Sequence, residues 1–148
     1  MAIQTVPAGG SFLLGESNPQ DIYTPEDFTD EQCLLMSTIR DFVTQEVLPQ
    51  MAAIEAKTPG LIPELLKKAG EVGLLSLEIP EAYGGAEMGL VSGMLLMEAA
   101  SLGGGSFLTS IADHVGIGTL PIVYSAQMNF ANTICHNSQL GRSWAVIV

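Results

Sequence analysis

The sequence predicts an all-α domain, and three observations carry that prediction. Apolar residues recur at helical spacing in several windows, a capping signal opens the first of them, and no alternating strand pattern is sustained. The chain has 148 residues, 47% of them hydrophobic and 14% charged. A compact chain of this size buries roughly 68–70% of its unfolded surface, which suits one core.

Residues 1–24 carry Pro7, Gly9, Gly10 and Pro19 with little periodicity and read as an irregular leader. Thr29-Asp30-Glu31-Gln32 then has the spacing of a capping box, with Phe28 and Cys33 placed as a hydrophobic staple. Leu35, Ile39, Phe42, Val43 and Val47 follow at helical steps, with Arg40, Asp41, Thr44 and Gln45 on the other face. This predicts an amphipathic helix of about five turns that ends or kinks near Pro49. A second helix is expected from Pro63 through Val72, with Lys67 and Lys68 toward its C-terminal end and Gly73 as a left-handed cap. Leu75, Leu77 and Ile79 alternate with Ser76 and Glu78, as a short extended piece would, and Tyr83-Gly84-Gly85 reads as a loop. Leu90 to Leu102 is apolar almost all round, which describes a helix buried among others. A last helix is expected from Ser106, with Phe107, Ile111 and Val115 at four-residue steps, followed by Gly116, Gly118 and Pro121.

Charge narrows the function. The formal net charge is −11, and only Arg40, Lys57, Lys67, Lys68 and Arg142 are basic, too few to neutralise a run of phosphates. Nucleic acid is therefore not an expected partner. Between His114 and Leu140 no Asp, Glu, Lys or Arg occurs, yet Pro121 and the polar Gln127, Asn129, Asn132, His136 and Asn137 argue against a membrane span. Met1–Gly10 lacks the basic region of a secretory signal, and the first Arg is Arg40, against a transit peptide. Cys33 and Cys135 make no disulfide framework. These features together suit a cytoplasmic protein.

Most candidate motifs reduce to structure. Gly116-Ile117-Gly118 has Pro121 at the third position of a dinucleotide fingerprint, so turn and packing is the better account. Gly103-Gly104-Gly105 lacks the Lys-Ser/Thr pair of a phosphate loop and reads as a flexible turn between helices. Gly89 to Gly93 does not have nucleophile-elbow spacing around Ser92, and His114, His136 and two distant cysteines do not make a metal site. No catalytic residue is assigned. Glu98 stands out as a lone carboxylate on an apolar helix: either it reaches solvent at the helix edge, or it ends an apolar ligand pocket.

The motifs Phe28-Thr29-Asp30-Glu31-Gln32, Arg40-Asp41-Phe42-Val43 and Glu46-Val47-Leu48-Pro49 resemble the opening helix of acyl-CoA dehydrogenases. The resemblance continues through Leu65–Leu75, Ile79-Pro80-Glu81-Ala82-Tyr83-Gly84-Gly85, Glu98-Ala99-Ala100 and His114–Ile122. Gly9-Gly10-Ser11-Phe12-Leu13 is similar to one bacterial branch of that family, so coverage runs over about residues 9–124. The resemblance implies the N-terminal helical domain of a three-domain FAD enzyme that desaturates acyl-CoA at the α,β bond, homo-oligomeric at full length. In that family a glutamate base takes the α-proton while hydride leaves the β-carbon for the flavin. Base and most flavin contacts belong to the middle β-domain and the C-terminal helical domain, which have no counterpart in this sequence. FAD retention and turnover by this chain alone are therefore not expected. What carries over is part of the acyl-cavity wall, with Glu98 as the matched carboxylate and Leu95 and Ala99 as its neighbours. The alternative is a non-catalytic helical module that binds an acyl group or a protein.

After Tyr124 the pattern breaks. The family continues with a charged stretch resembling FGTxEQKxKYLPxLAxGE, whereas this chain reads Ser125-Ala126-Gln127-Met128-Asn129-Phe130. One permitted coding of residues 125–148, regrouped after one restored base, translates as FGTDELRKYYLPQLAAGEKLGGYC. Two of those outcomes are forced whatever codons are chosen: Met128-Asn129 yields a glutamate and Trp144-Ala145 a glycine. The expected organisation is a leader over 1–24, a helical domain over 25–124 and an out-of-frame tail over 125–148.

Overall fold

A computed structural model describes residues 23–125, and these are helical throughout apart from turns, with no strand among them. The leader up to residue 22 and the tail from 126 onward lie outside the described residues. Helix α1 (Asp30–Phe42) starts at the predicted capping box. The Gln32 amide donates to Thr29 Oγ1 at 3.2 Å, and the Thr29 amide to Gln32 Oε1 at 3.0 Å, so two otherwise orphaned donors are satisfied. The expected staple is not what closes this end. Cys33 is exposed, and the Phe28 ring packs on Tyr23 with centroids 5.8 Å apart.

Helical backbone continues from α1 through a widened π-type turn over Val43–Val47 and tightens to a 3₁₀ turn at Leu48–Gln50, where Pro49 has no amide to donate. Helix α2 (Met51–Glu55) and helix α3 (Leu61–Glu71) follow. Helix α3 begins two residues before Pro63, which is allowed because the first turn makes no use of its amides. Both helices end in the same way. The Leu74 amide bonds the Ala69 carbonyl at 3.0 Å and that of Gly73 the Gly70 carbonyl at 3.0 Å, with Gly73 at φ +81°. After α2 the Thr58 and Lys57 amides make the equivalent bonds to Ala53 and Ile54, but the left-handed residue is Lys57, at φ +55°.

Residues 74–79 are not extended. They form successive turns that bury Leu74, Leu75, Leu77 and Ile79 and leave Ser76 and Glu78 half-buried, and among the described residues no strand lies alongside to take their amides. The amides of Ala86, Glu87 and Met88 donate back to the carbonyls of Ser76, Ile79 and Leu77, so the segment closes on itself. Gly85 makes that closure possible, since a Cβ there would overlap the Ile79 carbonyl.

Helix α4 (Gly89–Ala100) departs from the expectation of burial all round. Ser92, Gly93, Leu95, Leu96, Ala99 and Ala100 are buried, while Leu90, Val91 and Met94 are exposed. After a turn at Ser101–Gly103, helix α5 (Gly104–Ala112) starts two residues earlier than predicted and does not stop at the later glycines. It continues as a widened turn over Asp113–Thr119 into helix α6 (Leu120–Ser125), which accommodates Pro121. Gly103 is not a flexible spacer, since a Cβ there would stand 2.8 Å from Val47 Cγ1 and 2.9 Å from Phe107 Cδ1.

Helices α1 and α4 pack side by side, and α5 packs on α2, α3 and α4. The core joins Ile39, Phe42, Val43 and Val47 to Leu65, Ala69, Leu74, Leu75, Leu96, Ala100, Phe107 and Ile111. By length and composition the run Gly89–Tyr124 could cross a membrane. It is broken at Gly104, where α5 starts from a φ of +81° and a ψ of 166°, far from helical values, and its buried faces are spent on the core.

The two matched helix ends predict stability changes of opposite sign. Gly73→Ala costs about 1 kcal/mol, because a Cβ is disfavoured at its backbone angles, whereas Lys57→Gly gains a few tenths to about 1 kcal/mol by removing that conflict. Urea unfolding of each variant measures both.

Candidate functional site

Glu98 lies on the open face of α4, in line with Leu90 and Met94 at four-residue steps. Its side chain is 64% exposed, and Oε1 stands 3.9 Å from Nη2 of Arg40 on α1. Among the described residues Glu98 faces solvent rather than an enclosed pocket. Leu95 and Ala99 are buried in the domain, 3% and 1% exposed, so the three candidates share a helix but not the same exposure. Arg40 was not singled out from sequence; its pairing with Glu98 depends on the crossing of α1 and α4, which spacing along one helix does not reveal.

Two concave features lie elsewhere. One is a cleft of about 420 Å³ between α1 and α3, lined by Thr38, Asp41, Phe42, Gln45, Glu46, Lys68, Glu71 and Val72. Lys68 Nζ donates to Glu46 Oε2 at 2.7 Å and lies 3.7 Å from Glu64 Oε1. The Glu46 hydrogen bond holds the Lys68 pKa above its ordinary value. The other is a cavity of about 10 Å³, bounded by residues 74–79, α4 and the start of α6. Glu78 reaches into it beside Gly93, and burial raises the Glu78 carboxyl above the usual glutamate value. A single acidic position inside the apolar run 74–79 was the available signal, but alternation placed Glu78 on an outer face.

The remaining motifs have structural roles. Ser92 is buried with its hydroxyl donating to the Met88 carbonyl at 3.1 Å. Asp113 is exposed and His114 buried, on different sides as expected, and Thr119 Oγ1 donates to the His114 carbonyl at 2.7 Å. Gly116 and Gly118 lie within the widened turn rather than in a loop. Among the described residues no three His, Cys, Asp or Glu side chains gather as a metal site. Cys135 and His136 lie outside them.

Comparison with known proteins accounts for this arrangement. The family model for the acyl-CoA dehydrogenase N-terminal domain matches residues 29–130. The chain belongs to the acyl-CoA dehydrogenase family. A Bacillus subtilis (strain 168) protein named "Probable acyl-CoA dehydrogenase" is 45% identical over 119 residues, covering 80% of this chain and 20% of that protein. A second acyl-CoA dehydrogenase of the same organism is 32% identical over 117 residues, 76% of this chain and 31% of its own length. The crystal structure of an acyl-CoA dehydrogenase complexed with FAD from Bacillus anthracis superposes with a TM-score of 0.83 at 39% identity, over 91% of this chain and 23% of that one. The chain thus spans roughly a fifth to a third of the relatives it matches.

The described residues do not themselves fit an FAD. A dinucleotide pyrophosphate needs several converging cationic or backbone donors, but Arg40, Lys67 and Lys68 are drawn to Glu98, Glu71 and Glu46, Lys57 stands by itself on the exposed turn after α2, and the larger cleft is rimmed by Asp41, Glu46 and Glu71. The Arg40–Glu98 pair is exposed at both ends, so its contribution to stability is small. A double-mutant cycle with Arg40→Ala and Glu98→Ala is expected to give a coupling below about 1 kcal/mol by thermal unfolding.

Proposed function

We propose that this chain is the N-terminal helical domain of an FAD-dependent acyl-CoA dehydrogenase, acting in its whole enzyme on the α,β bond of acyl-CoA thioesters. The family match over residues 29–130 is the observation that carries this reading. The FAD in the Bacillus anthracis structure supports the cofactor assignment. The bacterial relatives support a cytoplasmic enzyme, and the family resemblance a homo-oligomeric one.

On this reading residues 25–124 form one wall of the acyl site. Glu98 sits on the open side of α4, and Leu95 and Ala99 set the wall from behind. The exposed Leu90, Val91 and Met94 flank Glu98 on the same helix and are the kind of surface that further chain would cover. Residues 125–148 are read as downstream coding sequence one base out of frame, supported by the regrouped tail with its forced glutamate and glycine. The chain by itself is expected to turn nothing over, because among the described residues neither a flavin cradle nor a base is assigned.

Two measurements test this. The nucleotide sequence across and beyond the Tyr124 codon is expected to show one missing base; an in-frame tail confirmed in independent DNA would sink the frame reading. The purified 148-residue chain is expected to show no flavin spectrum, while the product of the restored frame shows one that acyl-CoA bleaches. Acyl-CoA-dependent bleaching by the chain itself would overturn its assigned inactivity.

A further inference from the structure

Glu78 is used by none of the above, and its surroundings are unusual for an acid. Its Oε1 occupies the space that a Cβ on residue 93 would fill, so the carboxyl is seated on the backbone of α4 through the notch left by Gly93. The walls around it are Leu74, Leu75, Leu77, Ile79, Leu96, Val115 and Leu120. Among the described residues no hydrogen bond or ion pair reaches this carboxyl. The residue also sits in the one segment whose closure rests on a few turn bonds, those from the Ala86, Glu87 and Met88 amides to the Ser76, Ile79 and Leu77 carbonyls.

We propose that Glu78 is a proton-controlled latch: seated against Gly93 when neutral, it holds the 74–88 segment on α4, and when ionised it leaves the notch and loosens that segment. A neutral carboxyl loses less in an apolar notch than a carboxylate without a partner does, so ionisation shifts the balance toward swinging into water. The direction of the shift agrees, since burial raises the Glu78 pKa above 4.5. For an acid raised on folding, the stabilisation is complete below its unfolded pKa and is lost as pH rises through the folded value. The latch therefore closes toward acid and opens toward neutral pH.

Other titrating groups near the seam are few. On α4 the only charge is Glu98, exposed and facing Arg40. The Asp113–Thr119 segment offers exposed Asp113 and buried His114, and α6 offers only Tyr124, exposed. On the 74–88 segment itself, Glu81 and Glu87 are joined by the Glu81 amide donating to Glu87 Oε2.

The test is hydrogen exchange of the 86–88 amides in the full chain from about pH 4, below the ordinary glutamate pKa, to about pH 8, expressed as protection factors so that intrinsic base catalysis is removed. The native chain is expected to lose protection severalfold as pH rises. Glu78→Gln, which stays neutral, is expected to hold it constant. Parallel loss in the native chain and in Glu78→Gln would assign the pH dependence to His114 and overturn the latch. Constant protection in the native chain would overturn it as well. Gly93→Ala fills the notch, and where circular dichroism shows it folded it is expected to lack protection at every pH; full protection in that variant would remove the seat from the argument.

Discussion

Everything in this domain hangs on how closely α1 and the α4–α5 pair can approach. Val47 and Phe107 meet over Gly103, where even a methyl group would collide with both. Ala99 and Ala100 sit just before that turn and are buried, so small residues recur along the end of α4. With these positions small, the rings of Phe42 and Phe107 come within 6.5 Å, and Ile39, Val43 and Val47 lose all contact with solvent. Side chains packed at such density tolerate neither a void nor an added methylene without cost. The positions of α2 and α3 follow from this seam, because both reach the core through α5.

The two widened turns belong to the same constraint. An ideal helix rotates about 100° per residue, and a long one running past a neighbour drifts off the line of contact. The wide turn at Val43–Val47 lets Val43 and Val47 both stay fully buried just before the backbone tightens at Pro49. The second, at Asp113–Thr119, lies just before Pro121. There the Thr119 hydroxyl helps satisfy the His114 carbonyl, a group that looser winding leaves more open. Each proline that looked like a helix end in the sequence is thus absorbed by a change of winding one turn earlier.

That difference marks what was legible in the sequence. The Thr29–Gln32 box and the Gly73 cap were readable because both depend on residue types a few positions apart, and the backbone there does what local chemistry asks. The core stripe of α1 was readable for the same reason. Over 75–79 the alternation did mark which residues are buried, but the extended backbone read from it was wrong, because successive turns bury Leu75, Leu77 and Ile79 and leave Ser76 and Glu78 half-buried. The open face of α4 was misread because its composition is apolar all round, so only the position of α1 decides which side stays uncovered. Glu98 shows both sides of this. Its isolation was visible in the sequence, but its Arg40 partner and its difference in exposure from Leu95 and Ala99 required the packed helices.

Charge placement limits what the open surface of this domain can receive. Acids outnumber bases 16 to 5 in the chain, and the cations Arg40, Lys67 and Lys68 are each drawn toward a carboxylate of the same domain. Recruiting them to a phosphate or a thioester would mean breaking those pairs while leaving acids behind that repel the same ligand. Apolar surface, by contrast, remains available on α4 at no electrostatic cost, at Leu90, Val91 and Met94. An acyl chain or a neighbouring domain asks for such a surface and nothing more. A cofactor's phosphates ask for a cluster of donors, and the described cations other than Lys57 each face a carboxylate instead.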